Sequence, residues 1–347
     1  GEGDDLGAAI QVDGAGIVTV AGDSGSFDFP VTPGAYNPGF GGSDVFAVRL
    51  SADGSSILYA TSFGGSSTEY CRGLGVDASG SIFLAGETWS SDFPTVPSAI
   101  DTSLGGSFDG FLARISSDGT SLVYGTYLGG PLNDRVNGLA VDSGGFATVA
   151  GNTQGGIAVT AGAFDPTFNG GGDYGYDGFV TRVAPAGTAL VYSTYLGGTN
   201  DDYLNGIAID ATGAAYVTGR SESSDYPSVG PQPSPPSGAA IVTKIAQDGA
   251  SLIYSTRIAG GSEGTAIAVD SDGSVATTGY ASTFFVTTPG AYQTQLAGQY
   301  DAYLVRLHPS GASLEYATLF GGEEYEYGRG IAIGAGGATY AVGDVIG

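Results

Sequence analysis

The chain has 347 residues and a formal net charge of −25, since 35 acidic residues stand against only 10 basic ones. This charge disfavours nucleic acid and anionic membranes as partners, because binding to phosphate requires a basic surface. Only one cysteine and one histidine are present, which excludes an internal disulfide, a His/Cys zinc site and Ser-His-Asp or Cys-His catalysis.

A phrase of the type Leu-Val-Tyr-Ser-Thr-Tyr-Leu-Gly-Gly recurs along the chain. Its best copies occupy residues 122–130 and 190–198, and looser copies occupy residues 57–65, 252–261 and 314–322. The closing Gly-Gly pairs are separated by 65, 68, 63 and 61 residues. A near-constant period of this length predicts that each repeat is one supersecondary unit, which buries its apolar face against its neighbours.

Each repeat contains four short apolar runs in the same order, which in the fourth repeat occupy residues 206–210, 215–219, 240–245 and 252–256. They are rich in Val, Ile, Tyr, Phe and Thr and are bounded by Gly, Asp, Ser or Pro, which is typical of strands and too short for helices. An Asp-x-x-Gly turn joins the first two runs, and a similar Asp-Gly turn joins the last two. Both predict antiparallel hairpins, because Asp bonds its own backbone and Gly supplies positive φ.

A longer segment connects the second run to the third. It contains a Ser-Asp-Phe-Pro motif or a variant of it, which ends at Pro30, Pro94 and Pro227. We expect the aromatic residue before the proline to anchor the segment on its repeat, while the proline fixes the path of the chain.

The predicted fold is all-β: a β-propeller of four-stranded antiparallel blades, with five complete blades and a partial sixth. A β-helix requires a much shorter period, and separate sandwich domains require about 100 residues each. We expect a single propeller domain over residues 1–347. Its blades are expected at approximately residues 1–65, 66–130, 131–198, 199–261, 262–322 and 323–347.

The sixth repeat contains only two of the four predicted strands, at residues 330–333 and 338–342. Three explanations remain open at this point. The segment is truncated, the final blade is short, or a neighbouring subunit donates the remaining strands by β-augmentation. The third explanation is physically sensible because an exposed strand edge is a template for pairing.

These motifs resemble the bacterial β-propeller repeat family called SBBP. The resemblance rests on Gly-Ile-Ala-Ile-Asp, Tyr-Val-Thr-Gly, Ser-Ser-Asp-Tyr-Pro, Asp-Ala-Tyr-Leu and Tyr-Ser-Thr-Tyr-Leu-Gly-Gly, at residues 206–210, 216–219, 223–227, 301–304 and 192–198. It covers essentially the whole chain and implies a propeller fold in an exported bacterial or archaeal protein. It implies no activity, because the family has no common catalytic residues and a fold does not fix a function.

Half of the basic residues occupy one position of the repeat, in the third strand. They are Arg49, Arg114, Arg182, Lys244 and Arg306, and an aspartate precedes four of them by five residues: Asp44, Asp109, Asp177 and Asp301. In the fourth repeat Gly238 or Ala239 replaces the aspartate, and there Lys replaces Arg. We interpret the series as a structural ion pair, or as arginines bonded to loop carbonyls, because arginine is suited to multidentate bonding.

Acidic residues follow each Gly-Gly pair, and we expect their loops to share one face of the propeller. The candidate metal ligands are Asp4, Asp5, Glu69, Asp134, Asp201, Asp202, Glu263 and Glu324. Clustered carboxylates and loop carbonyls are ligands that Ca²⁺ prefers. The face is therefore either a solvated acidic surface or a site for Ca²⁺, or for a cationic or sugar ligand. No other cofactor is predicted.

Residues with catalytic potential are few. His308 lies in the turn between the third and fourth strands, where other repeats have Ser51, Ser116 or Ala184. Trp89 is the only tryptophan and is either a loop anchor or an exposed platform on which a sugar stacks.

The sequence favours a non-enzymatic, secreted or cell-surface module with a structural or adhesive role. We expect protein partners or self-association, with a surface assembly or filament as one form, and no membrane insertion. The alternatives are a carbohydrate- or calcium-binding propeller and, third, a hydrolase or lyase.

Overall fold

The structure is a computed structural model that describes residues 1–37, 39, 41–172, 174–230, 239–258, 262–283 and 285–346. Strands account for all regular elements of this part of the chain except one short 3₁₀-helix, Ala335–Gly337. The Pro-rich residues 231–238 and the Gly-Gly pair at 260–261 lie outside the described residues. The predicted replacement of the aspartate at Gly238 also falls there.

The strands follow the predicted order in every repeat. The first strands are β1 (Asp5–Val12), β5 (Glu69–Val76), β9 (Asp134–Val141), β13 (Asp202–Ile209), β17 (Ser262–Val269) and β21 (Tyr325–Ile333). The second strands are β2 (Val18–Ser24), β6 (Ile82–Thr88), β10 (Ala147–Thr153), β14 (Ala215–Ser221), β18 (Val275–Ala281) and β22 (Thr339–Ile346).

The third strands are β3 (Asp44–Leu50), β7 (Asp109–Ile115), β11 (Asp177–Val183), β15 (Ala239–Ile245) and β19 (Asp301–Leu307). The fourth strands are β4 (Ile57–Phe63), β8 (Leu122–Leu128), β12 (Leu190–Leu196), β16 (Leu252–Ile258) and β20 (Leu314–Phe320). Each of these five repeats forms one four-stranded sheet in sequential order, and β21 and β22 form a two-stranded sheet. The prediction of an all-β propeller with four-stranded antiparallel blades is therefore confirmed.

The described chain divides into two compact units. The first consists of Gly1–Ala158 and Thr181–Val191, and the second of Val159–Val180 and Tyr192–Gly347. In the first unit β5 contacts β1, β2 and β3 of the preceding sheet. Phe63, Leu84 and Phe111 are fully buried in the core that results. Burial against the next repeat is what a repeat with one apolar face requires.

The second unit is built in the same way, with β17 against β13, β14 and β15, and β21 against β17, β18 and β19. Its core contains Tyr216, Val242 and Tyr303, all completely buried. Large aromatic residues contribute much of the buried area here, because each removes about 150–250 Å² from water.

A β-bulge recurs in the first strand and explains the glycine that recurs in the second. The register between β5 and β6 shifts between Cys71 and Gly73, and Gly86 lies opposite. A Cβ atom on Gly86 would overlap the carbonyl oxygen of Tyr70. In the second unit Gly219 stands in the same relation to Tyr203. The bulge thus requires glycine for the close approach of the two backbones.

The first tyrosine of the recurring phrase has a packing role. Tyr124 of β8 is fully buried, and its ring lies against Gly187 in a turn of the following repeat. Gly187 has a φ of 70°. A side chain at that turn would both strain the backbone and strike the ring. The phrase therefore encodes contact between successive repeats.

Candidate functional site

The basic residue of each third strand pairs with the aspartate of the Asp-x-x-Gly turn in its own repeat. The N–O distances are 2.9 Å for Arg49–Asp13, 2.7 Å for Arg114–Asp77, 3.2 Å for Lys244–Asp210 and 2.6 Å for Arg306–Asp270, and Arg182 pairs with Asp142. Each long side chain reaches from the third strand to the turn between the first two strands and holds that turn in place.

Three of the arginines also donate to a carbonyl of the following repeat. Arg49 Nη1 donates to Gly80 O at 2.8 Å, and Arg114 Nη1 donates to Pro185 O at 2.9 Å. Arg306 Nη1 donates to Gly337 O at 2.9 Å. Arg114 further stacks over the Phe83 ring, 5.0 Å from its centroid. The guanidinium fork can serve both acceptors at once, which a lysine ammonium does poorly.

The prediction of which aspartates pair with these arginines was wrong. Asp44, Asp109, Asp177 and Asp301 precede the basic residues in the same strands, but none forms an ion pair with them in the described part of the chain. Residues five apart in a strand point to opposite faces of the sheet, because side chains alternate. Lys244 keeps its acidic partner, Asp210, at 3.2 Å. The replacement of Arg by Lys is therefore unrelated to the missing aspartate.

These four aspartates instead meet the acid that opens the first strand of the next repeat. We call the resulting sets the junction pairs: Asp44–Glu69, Asp109–Asp134, Asp177–Asp202 and Asp301–Glu326. Each lies at the first glycine of a Gly-Gly pair: Gly64, Gly129, Gly197 and Gly321. Each junction pair lies within one of the two compact units.

The two carboxylates of a junction pair face one point beside that glycine. A Cβ atom on Gly129 would lie 2.7 Å from Asp134 Oδ2 and 3.0 Å from Asp109 Oδ1. On Gly321 it would lie 2.7 Å from Glu326 Oε2 and 2.9 Å from Asp301 Oδ1. A side chain at these glycines would collide with both carboxylates, so the position requires glycine.

All junction acids are buried, and burial raises the pKa values of those in the first three pairs. Desolvation, with a smaller contribution from the facing Asp44 or Asp109, raises the pKa of Glu69 and of Asp134 to about 7. Desolvation also raises the pKa of Asp177 to about 7, with Asp202 adding to the effect. A like charge close by disfavours ionisation in the same direction as burial does.

The expectation of one solvated acidic face was also wrong. Glu69, Asp134 and Asp202 are fully buried within strands rather than displayed on loops. Within the described ranges no three His, Cys, Asp or Glu side chains come together as a metal-binding group.

The other predicted acids lie outside the junction pairs. Asp201 accepts the amides of Tyr174 and Tyr176, and Glu263 accepts the Tyr280 hydroxyl. Asp5 accepts the hydroxyls of Ser24 and Ser26. Asp4 and Glu324 are exposed. These residues therefore serve local roles, and only Glu69, Asp134 and Asp202 of the predicted set occur in pairs.

An open cleft of about 590 Å³ lies in the first unit, between the Asp-x-x-Gly turns of the first two repeats. Its lining includes Asp13, Arg49 and Asp77. These side chains already form the ion pairs described above, with Arg49 on Asp13 and Arg114 on Asp77. The polar groups of the cleft are thus engaged in holding the turns.

Trp89 and His308 lie where the sequence places them, in loops. The Trp89 ring is 41% exposed and lies 4.8 Å from the Phe108 ring. His308 is exposed and shares a hydrogen bond of 2.8 Å with Ser310 in its own turn. Trp89 is thus partly packed against Phe108 and partly exposed.

Glu326 belongs to a junction pair, whereas the sequence pattern pointed to Glu324. The pairing itself is not evident from the pattern, because the two members of a junction pair are about 25 residues apart and belong to different repeats. One signal was available. At the junction between the fourth and fifth repeats the sequence has Ala239 and Ser262, so both acids are lost together.

Comparison with known families gives a match at two of the repeats. Residues 58–94 and 191–227 match the family model described as SBBP, β-propeller repeat. These two segments are thus similar to SBBP β-propeller repeats. Each matched segment runs from a fourth strand, through the first and second strands of the next repeat, to the proline of the connecting segment.

Two solved structures are similar to the chain at low sequence identity. The K499G mutant of NanB sialidase from Streptococcus pneumoniae is 8% identical, with a TM-score of 0.51, and the match covers 98% of this chain and 65% of that one. The WD40 domain of Neurospora crassa Pan2 is 10% identical, with a TM-score of 0.46 and coverage of 98% and 89%. No curated protein matches the chain in sequence. These likenesses concern the fold alone.

Within the described residues, no helix combines the length and the apolar character needed to cross a bilayer.

Proposed function

We propose that this chain is a non-enzymatic, exported structural module that associates with further copies through exposed apolar strands. The observation that carries the proposal is the set of exposed apolar side chains on β22, which pairs with β21.

The side chains on β22 suit such a contact. Tyr340, Val342 and Ile346 lie at alternating positions and share one face with Asp344, which pairs with Arg329. Tyr340 and Val342 are 63% and 66% exposed. Large exposed apolar patches on soluble proteins mark interaction sites. We call Tyr340, Val342 and Ile346 the β22 row.

A second apolar surface lies on β1 of the first unit, where Ile10 and Val12 are exposed on one face. Leu6, beyond the bulge between Gly7 and Ala9, is exposed on the other face. The equivalent strand β5 is instead half covered, by contact with β1 and β2. Two different apolar surfaces on one molecule can form a heterologous contact between copies. Such contacts build rings or open filaments. A filament subunit is accordingly the form of the proposal that these surfaces favour.

The polar side chains support a structural rather than a catalytic role. The basic series and the junction pairs recur at equivalent positions in successive repeats, and each bonds groups inside the fold. A catalytic site normally departs from repeat symmetry in one or two places. The acidic, glycine-rich composition and the SBBP repeats support export of the protein.

Sedimentation velocity over a range of concentrations tests the assembly. We expect the wild-type chain to form larger species as its concentration rises, and we expect Val342→Lys to reduce this because it charges the β22 row. Ile253→Lys is the matched control, since Ile253 is half exposed on β16 of the same unit. A wild-type protein that stays monomeric at all concentrations, or equal effects of both variants, would contradict the proposal.

Glycan binding is a second candidate, favoured by the partial exposure of Trp89. Sugars stack on exposed aromatic rings through their apolar faces. Because Trp89 is the only tryptophan, its fluorescence reports directly on this site. A saturable spectral shift with one oligosaccharide of a panel supports the candidate. No shift with any member of the panel removes it.

A further inference from the structure

The junction pairs bury acidic oxygens that lack a hydrogen-bond partner among the described protein groups. Asp134 and Glu326 are at least nine-tenths buried, and Asp134 Oδ1 and Glu326 Oε2 have no hydrogen-bond partner in the part of the chain that the structure describes. Glu326 Oε2 is also the atom that faces the shared point at Gly321. A buried carboxylate oxygen without a partner is costly unless a positive group meets it.

Backbone amides also donate to these carboxylates. The amide of Gly130 donates to Asp134 Oδ2 at 2.6 Å, and the amide of Gly105 donates to Asp109 Oδ2 at 2.7 Å. In the last pair the amide of Ala297 donates to Asp301 Oδ2 at 3.0 Å. Hydrogen bonds from backbone amides favour the charged carboxylate over the neutral acid.

Protein cations do not neutralise most of these pairs. Among the described residues no lysine, arginine or histidine forms an ion pair with Asp44–Glu69, Asp109–Asp134 or Asp301–Glu326. At Asp177–Asp202 the Arg257 guanidinium acts on Asp202 at longer range. In three of the four junction pairs two acidic side chains thus lie at one glycine with no basic ion-pair partner among the described residues.

We propose that each junction pair binds a divalent metal ion, Ca²⁺ by its ligand chemistry, between successive repeats. All available ligands are oxygens. Ca²⁺ accepts six to eight oxygen ligands in irregular geometry, at about 2.3–2.6 Å. The two carboxylates supply the charge, and water or nearby carbonyls complete the shell. Mg²⁺ fits less well because it demands a near-octahedral shell at about 2.0–2.1 Å. This inference is independent of the proposed assembly.

The fourth junction provides an internal comparison. There the third strand begins at Ala239 and the first strand of the next repeat begins at Ser262. Ser262 Oγ accepts the amide of Ala240 at 3.1 Å, so a neutral contact replaces the acid pair. A site that needs both ligands loses its function when either is lost, and joint loss is then expected. Acids with separate roles would be lost separately.

Isothermal titration calorimetry on the chelator-treated full chain tests the proposal directly. We expect saturable Ca²⁺ binding at pH 7.5 with a stoichiometry near four, and weaker heats with Mg²⁺. Glu326→Gln and Asp134→Asn, one in each unit, should each reduce the stoichiometry by one. Glu263→Gln is the control, because this acid lies on β17 outside any junction pair, and it should leave the stoichiometry unchanged.

Native mass spectrometry of the wild-type chain covers the case in which the variants do not fold. We expect a population with four bound Ca²⁺ ions and a higher melting temperature in Ca²⁺ than in chelator. Absence of bound Ca²⁺ overturns the proposal. So does binding whose stoichiometry is the same in the control and in both pair variants, which would place the ions elsewhere on the acidic surface. A chelated protein that is stabilised by acid and not by Ca²⁺ also overturns it, in favour of a shared proton.

Discussion

Substitution of Arg114 by alanine removes a set of contacts that joins two repeats. The guanidinium donates to Asp77 Oδ2 at 2.7 Å, to Ser81 Oγ at 3.2 Å and to Pro185 O at 2.9 Å. It also lies over the Phe83 ring. The Asp77 side chain is only 4% exposed. Arg114→Ala therefore leaves a nearly buried carboxylate without its counter-ion.

Breaking a buried ion pair by removing one partner costs roughly 3–5 kcal/mol, because the remaining charge stays desolvated. We expect Arg114→Ala to lower the free energy of unfolding by about that amount. Arg72→Ala is the matched control. The Arg72 side chain is 49% exposed and lies 3.6 Å from Glu87, which keeps a second pair at 2.7 Å with Arg135. An exposed pair of this kind contributes about 1 kcal/mol or less.

Equilibrium unfolding in urea, followed by circular dichroism, measures both variants. Arg114→Lys should fall between wild type and alanine, because an ammonium can reach the carboxylate but serves the Pro185 carbonyl poorly. The fourth repeat already uses this lysine, with Lys244 Nζ 3.2 Å from Asp210. Equal losses in Arg114→Ala and Arg72→Ala would refute the structural role assigned to the basic series.

Three further predictions concern backbone approach, packing and pH. Gly86→Ala should strongly destabilise the fold or prevent folding, because a Cβ would overlap the Tyr70 carbonyl. Gly7→Ala is the control and should be near neutral, since a Cβ there meets no atom within 4 Å. Thermal melts of both variants measure the difference. Tyr124→Phe should be tolerated in urea unfolding, since the Tyr124 hydroxyl has no partner among described residues, but Tyr124→Ala should cost roughly 3–5 kcal/mol. In chelator, the free energy of unfolding should fall as pH rises from about 4 to about 7. Burial raises the pKa of Glu69 and Asp134 to about 7, so these acids ionise at lower pH in the unfolded chain than in the folded one. A melting temperature that rises through this window would contradict the burial of these acids.

The strands and their order could be predicted from the sequence because the signals are local. Runs with β-branched and aromatic residues, Asp-x-x-Gly turns and the period of the recurring phrase each act within one repeat. The structure returns the same order, β1 to β4 and its equivalents, in five sheets. Strand alternation also explains why Asp44 and Arg49, five residues apart in one strand, cannot meet.

The chemistry between repeats could not be predicted in the same way. Glu69 opens β5, but the acid it faces, Asp44, opens β3 of the preceding repeat. Their meeting depends on how one sheet packs against the next, which no local pattern encodes. The burial of these acids also depends on how one sheet packs against the next. An acid after a Gly-Gly pair suggests a solvated loop, and only the packing of the following sheet shows that Asp134 and Asp202 are enclosed.

A crystal structure determined from Ca²⁺-containing solution tests the central claim, that paired carboxylates join successive repeats through a cation. We expect electron density for a metal ion with oxygen ligands at about 2.3–2.6 Å in every junction pair. The four pairs are Asp44–Glu69, Asp109–Asp134, Asp177–Asp202 and Asp301–Glu326. We expect no ion between positions 239 and 262. Carboxylates in direct hydrogen-bond contact at these four places, with no ion between them, would contradict it.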